Sequence, residues 1–144
     1  MVQTIPQTID IKGSNSKMIS LDVFVNALEA KSALILIFCY GYKGFKDWGC
    51  WNLVAEEFAN QGFNFIKFNF SHNGVNSQNS LGFDDLDAFG NNNYTKEFAD
   101  LSSVISWVKS KKVKDPFFET ESIYLIGHSR GGGIVTIKAS EDDR

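Results

Sequence analysis

The sequence predicts an α/β fold with a mostly parallel sheet and helices on both faces, and three observations lead to it. First, Ala33 to Tyr40 is a continuous apolar run, as expected for a central parallel strand buried on both sides. Second, strand-like runs alternate with helix-period segments after an amino-terminal β hairpin. Third, the apolar Ile123-Tyr124-Leu125-Ile126 leads into Gly127-His128-Ser129-Arg130-Gly131 and then a helix-compatible segment through Ser140. Strand, Gly-x-Ser-x-Gly and helix in that order form the context in which the pentapeptide places a serine on a sharp, strained turn.

Taken in order, Thr8–Ile11 and Met18–Val25 read as two β segments around Gly13-Ser14-Asn15-Ser16, which is turn chemistry. The run Ala33–Tyr40 ends in a glycine-spaced loop, Gly41-Tyr42-Lys43-Gly44-Phe45-Lys46-Asp47-Trp48-Gly49. Trp51, Val54, Ala55 and Phe58 then fall on one helical face, and Gly62 can end that helix. Phe63–Phe70 is the next strand. Ser71–Asn93 is long, polar and rich in Asn and Gly, so it reads as a loop that carries function or covers something. A helix resumes near Thr95, with Phe98, Leu101, Ile105 and Val108 as its buried stripe through Lys112, and Pro116 enforces a break.

The chain has 144 residues, enough for one domain (residues 1–144) and too few for two ordinary ones. A net charge of −3 argues against nucleic acid as the main partner. The basic cluster Lys109–Lys114 is expected to be a solvated helix end. No apolar run is long enough to span a bilayer, and no signal peptide is visible at Met1–Ile11. Cys39 and Cys50 are too few for a disulfide framework and lack metal-ligand spacing. These features predict a reduced, cytoplasmic protein with no membrane partner.

The glycines around Ser129 have a rival meaning, a phosphate-binding turn. No Lys-Ser/Thr follows them, however, and the spacing is not Gly-x-Gly-x-x-Gly. A nucleophilic serine at a helix N-terminus, whose free N–H groups favour negative charge, is the reading that remains.

Over essentially its whole length the chain resembles the α/β-hydrolase superfamily. Gly127-His128-Ser129-Arg130-Gly131 is similar to the family's nucleophile elbow. Tyr40-Gly41-Tyr42-Lys43-Gly44-Phe45-Lys46-Asp47-Trp48 is similar to the loop after the third strand in a dienelactone-hydrolase-like and acyl-peptidase-like subset, with Tyr40 where His is usual. The resemblance implies that Ser129 is the nucleophile, that the backbone N–H groups of Tyr42 and Arg130 form the oxyanion hole, and that Gly41, Tyr42 and His128 contact substrate. It implies no metal and no organic cofactor. Family order is Ser, then Asp or Glu, then His. This chain ends at Glu141-Asp142-Asp143-Arg144, just past the elbow helix. Acid and base are therefore expected from a carboxyl-terminal half.

Other candidate groups fit poorly. His128 is expected to pack or hydrogen-bond beneath the turn. His72 lies in Phe70-Ser71-His72-Asn73-Gly74, which resembles a structural segment of the same subset rather than its base. Asp47, Asp84, Asp85 and Asp87 are expected to cap turns or face solvent, and Asp142 and Asp143 sit at the far end of the helix. The function implied is hydrolysis of a carboxylic ester or related acyl bond, on a small acyl-ester or peptide-like substrate. A serine peptidase of the same fold and a non-catalytic binding module are the alternatives. Ile123–Ile126 is expected to be an apolar edge strand, and Ile134, Val135 and Ile137 to be partly bared. The chain is therefore expected to pair with the carboxyl-terminal half as a second chain, or to self-associate.

Overall fold

A computed structural model describes residues 5–26, 28, 33–76, 79–111 and 118–144. Pro116 and the end of the Lys109–Lys114 cluster lie outside these residues. The main sheet has five strands in the order β1-β2-β4-β3-β7. β1 (Gln7–Lys12) and β2 (Met18–Phe24) form the expected hairpin, joined through a 3-10 turn at Ser14–Ser16. β3 (Ala33–Cys39) lies between β4 (Asn64–Phe68) and β7 (Phe118–Gly127), parallel to both, and β2 runs antiparallel to β4. The three parallel strands thus end at one edge, after Cys39, Phe68 and Gly127.

Among the described residues four helices accompany the sheet: α1 (Trp51–Asn60), α2 (Leu86–Gly90), α3 (Tyr94–Lys111) and α4 (Arg130–Glu141). α1 covers one face. Phe38 of β3 meets Trp51 at 4.5 Å between ring centroids, and Phe65 of β4 stacks on Phe58 at 5.3 Å. Strand alternation sends Ile35, Ile37, Cys39, Ile66 and Phe68, all buried, to the opposite face, where α3 and α4 pack against each other and the sheet. Buried Leu101, Val104, Ile105 and Val108 form the α3 stripe, so Val104 joins the expected set.

Local chemistry explains the helix ends. At the end of α1 the Gly62 N–H donates to the Ala59 carbonyl and the Phe63 N–H to the Phe58 carbonyl, with Gly62 at φ 93°. Phe58 and Phe63 pack edge to face at 5.9 Å, completing a Schellman stop. Asn93, just before α3, caps it: its side chain accepts the Lys96 N–H at 3.0 Å.

Two expectations need correction. Ser71–Asn93 is not one loop: it contains a small antiparallel ribbon, β5 (Val75–Asn76) with β6 (Asn79–Phe83), and then α2, capped by the Asp85 carboxylate on the Ala88 N–H. β7 starts at Phe118, well before Ile123. On α4, Ile134 and Val135 are buried, and only Ile137 is bare, at 46% exposure.

The junction of β7 and α4 tolerates no side chain at its two framing glycines. A Cβ on Gly131 would sit 2.1 Å from the Cys39 carbonyl oxygen, and one on Gly127 would sit 2.4 Å from the Gly131 carbonyl oxygen. These contacts are backbone against backbone, so no rotamer change relieves them. Gly131→Ala is expected to destabilise the fold by about 3 kcal/mol or more, read as a lowered urea midpoint. An unchanged midpoint would mean that strand and helix do not pass this closely.

Candidate active site

The carboxyl edge of the parallel strands gathers three loops, and Ser129 stands where β7 turns into α4. Its backbone, at φ 53° and ψ −120°, lies in a region that side-chain-bearing residues rarely adopt. The turn is closed by the Gly131 N–H on the His128 carbonyl and the Gly132 N–H on the Ser129 carbonyl, each 2.9 Å. Ser129 is exposed, and among the described residues nothing hydrogen-bonds its hydroxyl. The 12-residue α4 follows directly, and its N-terminus presents the positive end of the helix dipole to this turn.

The loop after β3 passes over this turn. A Cβ on Gly41 would lie 3.0 Å from the Ser129 Cβ and 3.2 Å from His128 Nδ1, so this position too requires close backbone approach. The N–H groups of Tyr42 and Arg130 make no backbone hydrogen bond among the described residues. All five residues singled out from the sequence, Gly41, Tyr42, His128, Ser129 and Arg130, therefore meet at one edge. His128 is not buried beneath the turn: it is exposed, with its ring 5.3 Å from that of Trp51. Tyr42 is 64% exposed and leans on Phe89.

A buried ion quartet holds the loop in place. Lys46 Nζ binds Asp22 at 2.8 Å and Asp47 at 2.6 Å, while Lys67 Nζ binds Asp22 at 2.7 Å and Asp47 at 2.6 Å. The Lys46 N–H also donates to Asn69 Oδ1 at 2.7 Å. Burial alone would raise the Asp22 pKa, but hydrogen bonds from Lys46 and Lys67 outweigh it and hold the carboxyl below its usual range. Asp47 thus neither caps a turn nor faces solvent; it ties the loop to strands β2 and β4. A lysine in the middle of the aromatic β4 run was the one sequence signal of this arrangement.

His72 is buried and committed elsewhere. Its Nδ1 lies 2.7 Å from the Ser71 hydroxyl, which donates to Asp100 at 2.7 Å, and Asp100 also accepts the N–H groups of Ser14 and Ser71. Burial pushes the His72 pKa down. This cluster ties the turn after β1 to α3 and makes no hydrogen bond to Ser129. Asp142 is engaged with Arg144 at 2.6 Å at the far end of α4, as expected from its position.

The Arg130 side chain folds back over α3. Its Nε binds Glu97 at 2.8 Å, and its guanidinium lies 3.9 Å from the Tyr94 ring centroid. Glu97, a buried carboxylate, also accepts from Asn92 Nδ2 at 2.8 Å. Between this group and the loop after β3 lies a cavity of about 240 Å³ walled by Tyr42, Asn73, Asn92 and Arg130. Nothing in the sequence pattern marked Asn73, Asn92 or Glu97. No group of three or more His, Cys, Asp or Glu among the described residues could hold a metal ion, and no described helix is long and apolar enough to cross a membrane.

No protein-family model matches the chain, and no curated protein matches it in sequence. Solved structures do match. An α/β serine hydrolase without a lid from Xanthomonas campestris aligns at a TM-score of 0.69 and 17% identity, over 97% of this chain and 58% of its own. An α/β serine hydrolase homologue from Coxiella burnetii aligns at 0.68 and 21%, over 99% and 61%. Brefeldin A esterase, a bacterial homologue of human hormone-sensitive lipase, aligns at 0.70 and 16%, over 96% and 35%. The fold expected from the sequence is therefore the fold observed, that of α/β hydrolases. The chain spans between 35% and 61% of the length of these three structures.

Proposed function

We propose that the chain carries the nucleophile of a serine hydrolase acting on carboxylic esters or related acyl bonds, through an acyl-enzyme on Ser129. The observation that carries this reading is the Ser129 backbone at φ 53° and ψ −120° between β7 and α4, with its hydroxyl exposed and unpartnered. In this reading the hydroxyl stands clear of the sheet. In the reaction it attacks the acyl carbonyl, and the oxygen that becomes negative is held by the Tyr42 and Arg130 N–H groups. Each such donor contributes roughly 3 kcal/mol to the barrier reduction. Gly41 and His128 border the reacting carbonyl.

The proton of Ser129 needs a base, and neither His72 nor His128 is hydrogen-bonded to it. In this reading an imidazole and its orienting carboxylate come from a carboxyl-terminal half of the same fold, seated against the free edge of β7, where Tyr124 is 51% exposed. Residues 1–144 alone are expected to self-associate in sedimentation, and a monodisperse monomer would contradict that placement. A second reading is a binding module that keeps the pocket without turnover; it is favoured by the described histidines, neither of which is hydrogen-bonded to Ser129.

Pre-steady-state kinetics separate the two. The full-length protein with p-nitrophenyl acetate should release a burst of p-nitrophenol near one equivalent per Ser129, followed by slower turnover. Release no faster than buffer would favour the binding module.

A further inference from the structure

The loop after β3 is strained at a residue other than Ser129. The Gly44 N–H donates to the Gly41 carbonyl at 3.0 Å, closing a four-residue turn, and Lys43 inside it has φ 57°. That is the left-handed region, which glycine or asparagine enters readily and lysine does not. Such a conformation persists only where its surroundings over-determine it. The buried quartet fixes Lys46 and Asp47, which lie beyond the turn. Tyr42, at 64% exposure, is not held by burial either.

What grips the turn is a row of rings that starts and ends on the loop. Phe45 packs edge to face on Phe83 of β6 at 5.8 Å, Phe83 packs on Phe89 of α2 at 5.5 Å, and Phe89 lies 6.0 Å from Tyr42. Each separation falls in the attractive range for aromatic pairs. Lys43 thus sits between two residues, Tyr42 and Phe45, that are both clasped from outside the loop. The clasp is itself anchored. The five residues of α2 are too few to persist as a helix alone. The Asp85 N–H donates to the Gly74 carbonyl at 3.0 Å, and Lys17 holds the Asp85 carboxylate at 2.7 Å. Gly74, at φ 88°, lets Phe89 seat closely, since a Cβ there would lie 2.9 Å from the Phe89 Cβ.

We propose that Phe89, backed by Phe83, is a positioning residue that holds the strained turn at Tyr42–Gly44 and so sets where the Tyr42 N–H points. The catalytic consequence rests on the reading of that N–H as an oxyanion donor; the clasp itself does not.

Two measurements on the full-length protein test it. The first is a double-mutant cycle read by kcat/KM for p-nitrophenyl acetate. Phe89→Leu keeps an apolar side chain but removes the ring, and it is expected to lower kcat/KM by about tenfold or more. Phe89→Tyr keeps the ring and should stay within about twofold of wild type. Glycine holds the turn without help, so on a Lys43→Gly background Phe89→Leu should lower kcat/KM by less than about threefold. A side chain that only filled space would give the same loss on both backgrounds, and that result, or no loss on either, would overturn the proposal. The second follows the backbone amide resonances of Tyr42, Lys43 and Gly44 by NMR, with no ligand added. Phe89→Leu should bring microsecond-to-millisecond exchange to these amides, absent from wild type and Phe89→Tyr. Exchange-free amides in Phe89→Leu would overturn the proposal whether or not the ester is hydrolysed. Exchange in Phe89→Leu together with a wild type that hydrolyses no ester would support the clasp and count against Tyr42 as an oxyanion donor.

Discussion

Ser129→Ala is expected to lower ester turnover by the full-length protein by a factor on the order of 10⁴ to 10⁶, the range for removal of a serine nucleophile. On the proposed reading the variant keeps the backbone donors at Tyr42 and Arg130, so residual binding and oxyanion stabilisation would remain while the acyl-enzyme could not form. The substitution removes one oxygen from an exposed side chain that makes no hydrogen bond among the described residues, so the urea midpoint should stay within about 0.5 kcal/mol of wild type. A loss of turnover with unchanged stability assigns the effect to chemistry. Turnover within tenfold of wild type would take Ser129 out of the mechanism.

Lys67→Met is expected to destabilise the protein by about 3–5 kcal/mol, because it leaves Asp22 and Asp47 sharing a single cation. Lys67 is 0% exposed and reaches both carboxylates, so no solvent replaces its charge. A loss below about 1 kcal/mol would show that the quartet is not paired in solution. The effect should also depend on pH. The Asp22 pKa is lowered in the folded state, so its contribution is complete above the unfolded value, about 3.9, and is lost as pH falls through the folded value. The gap between wild type and Lys67→Met should therefore narrow in acid. Because Lys46 and Asp47 belong to the loop that carries Tyr42, the same variant is expected to reduce kcat as well as stability.

Those two effects differ in how far they could be read from residues alone. The sheet was legible because its signals are local: the apolar run of β3, the hairpin around Gly13, and the glycines framing Ser129. Periodicity also marked α1 and α3. The ribbon of Val75–Asn76 with Asn79–Phe83 and the five residues of α2 escaped because elements this short show too little pattern to separate from a polar loop.

The quartet was hidden for a different reason. Lys67 finds Asp22, 45 positions away, only once β4 pairs with β2. Asp47 looked like a turn residue because the cations that bury it come from elsewhere in the fold. Asn73, Asn92 and Glu97 converge on one cavity through the packing of α3 against the loops, and no spacing rule links them. His128 was placed beneath the turn by its neighbour in sequence, yet Trp51 at the start of α1 offers its ring on the exposed side. Of Ile134, Val135 and Ile137, expected to be bared in some combination, Ile137 is bare, while packing against the sheet and α3 covers the other two.

The central claim is that Ser129 is the residue that becomes acylated, and covalent labelling tests it most directly. Full-length protein treated with a fluorophosphonate and digested for peptide mapping by mass spectrometry should carry a single adduct, on Ser129, and Ser129→Ala should carry none. An adduct on another serine, or labelling that survives the substitution, would contradict the account.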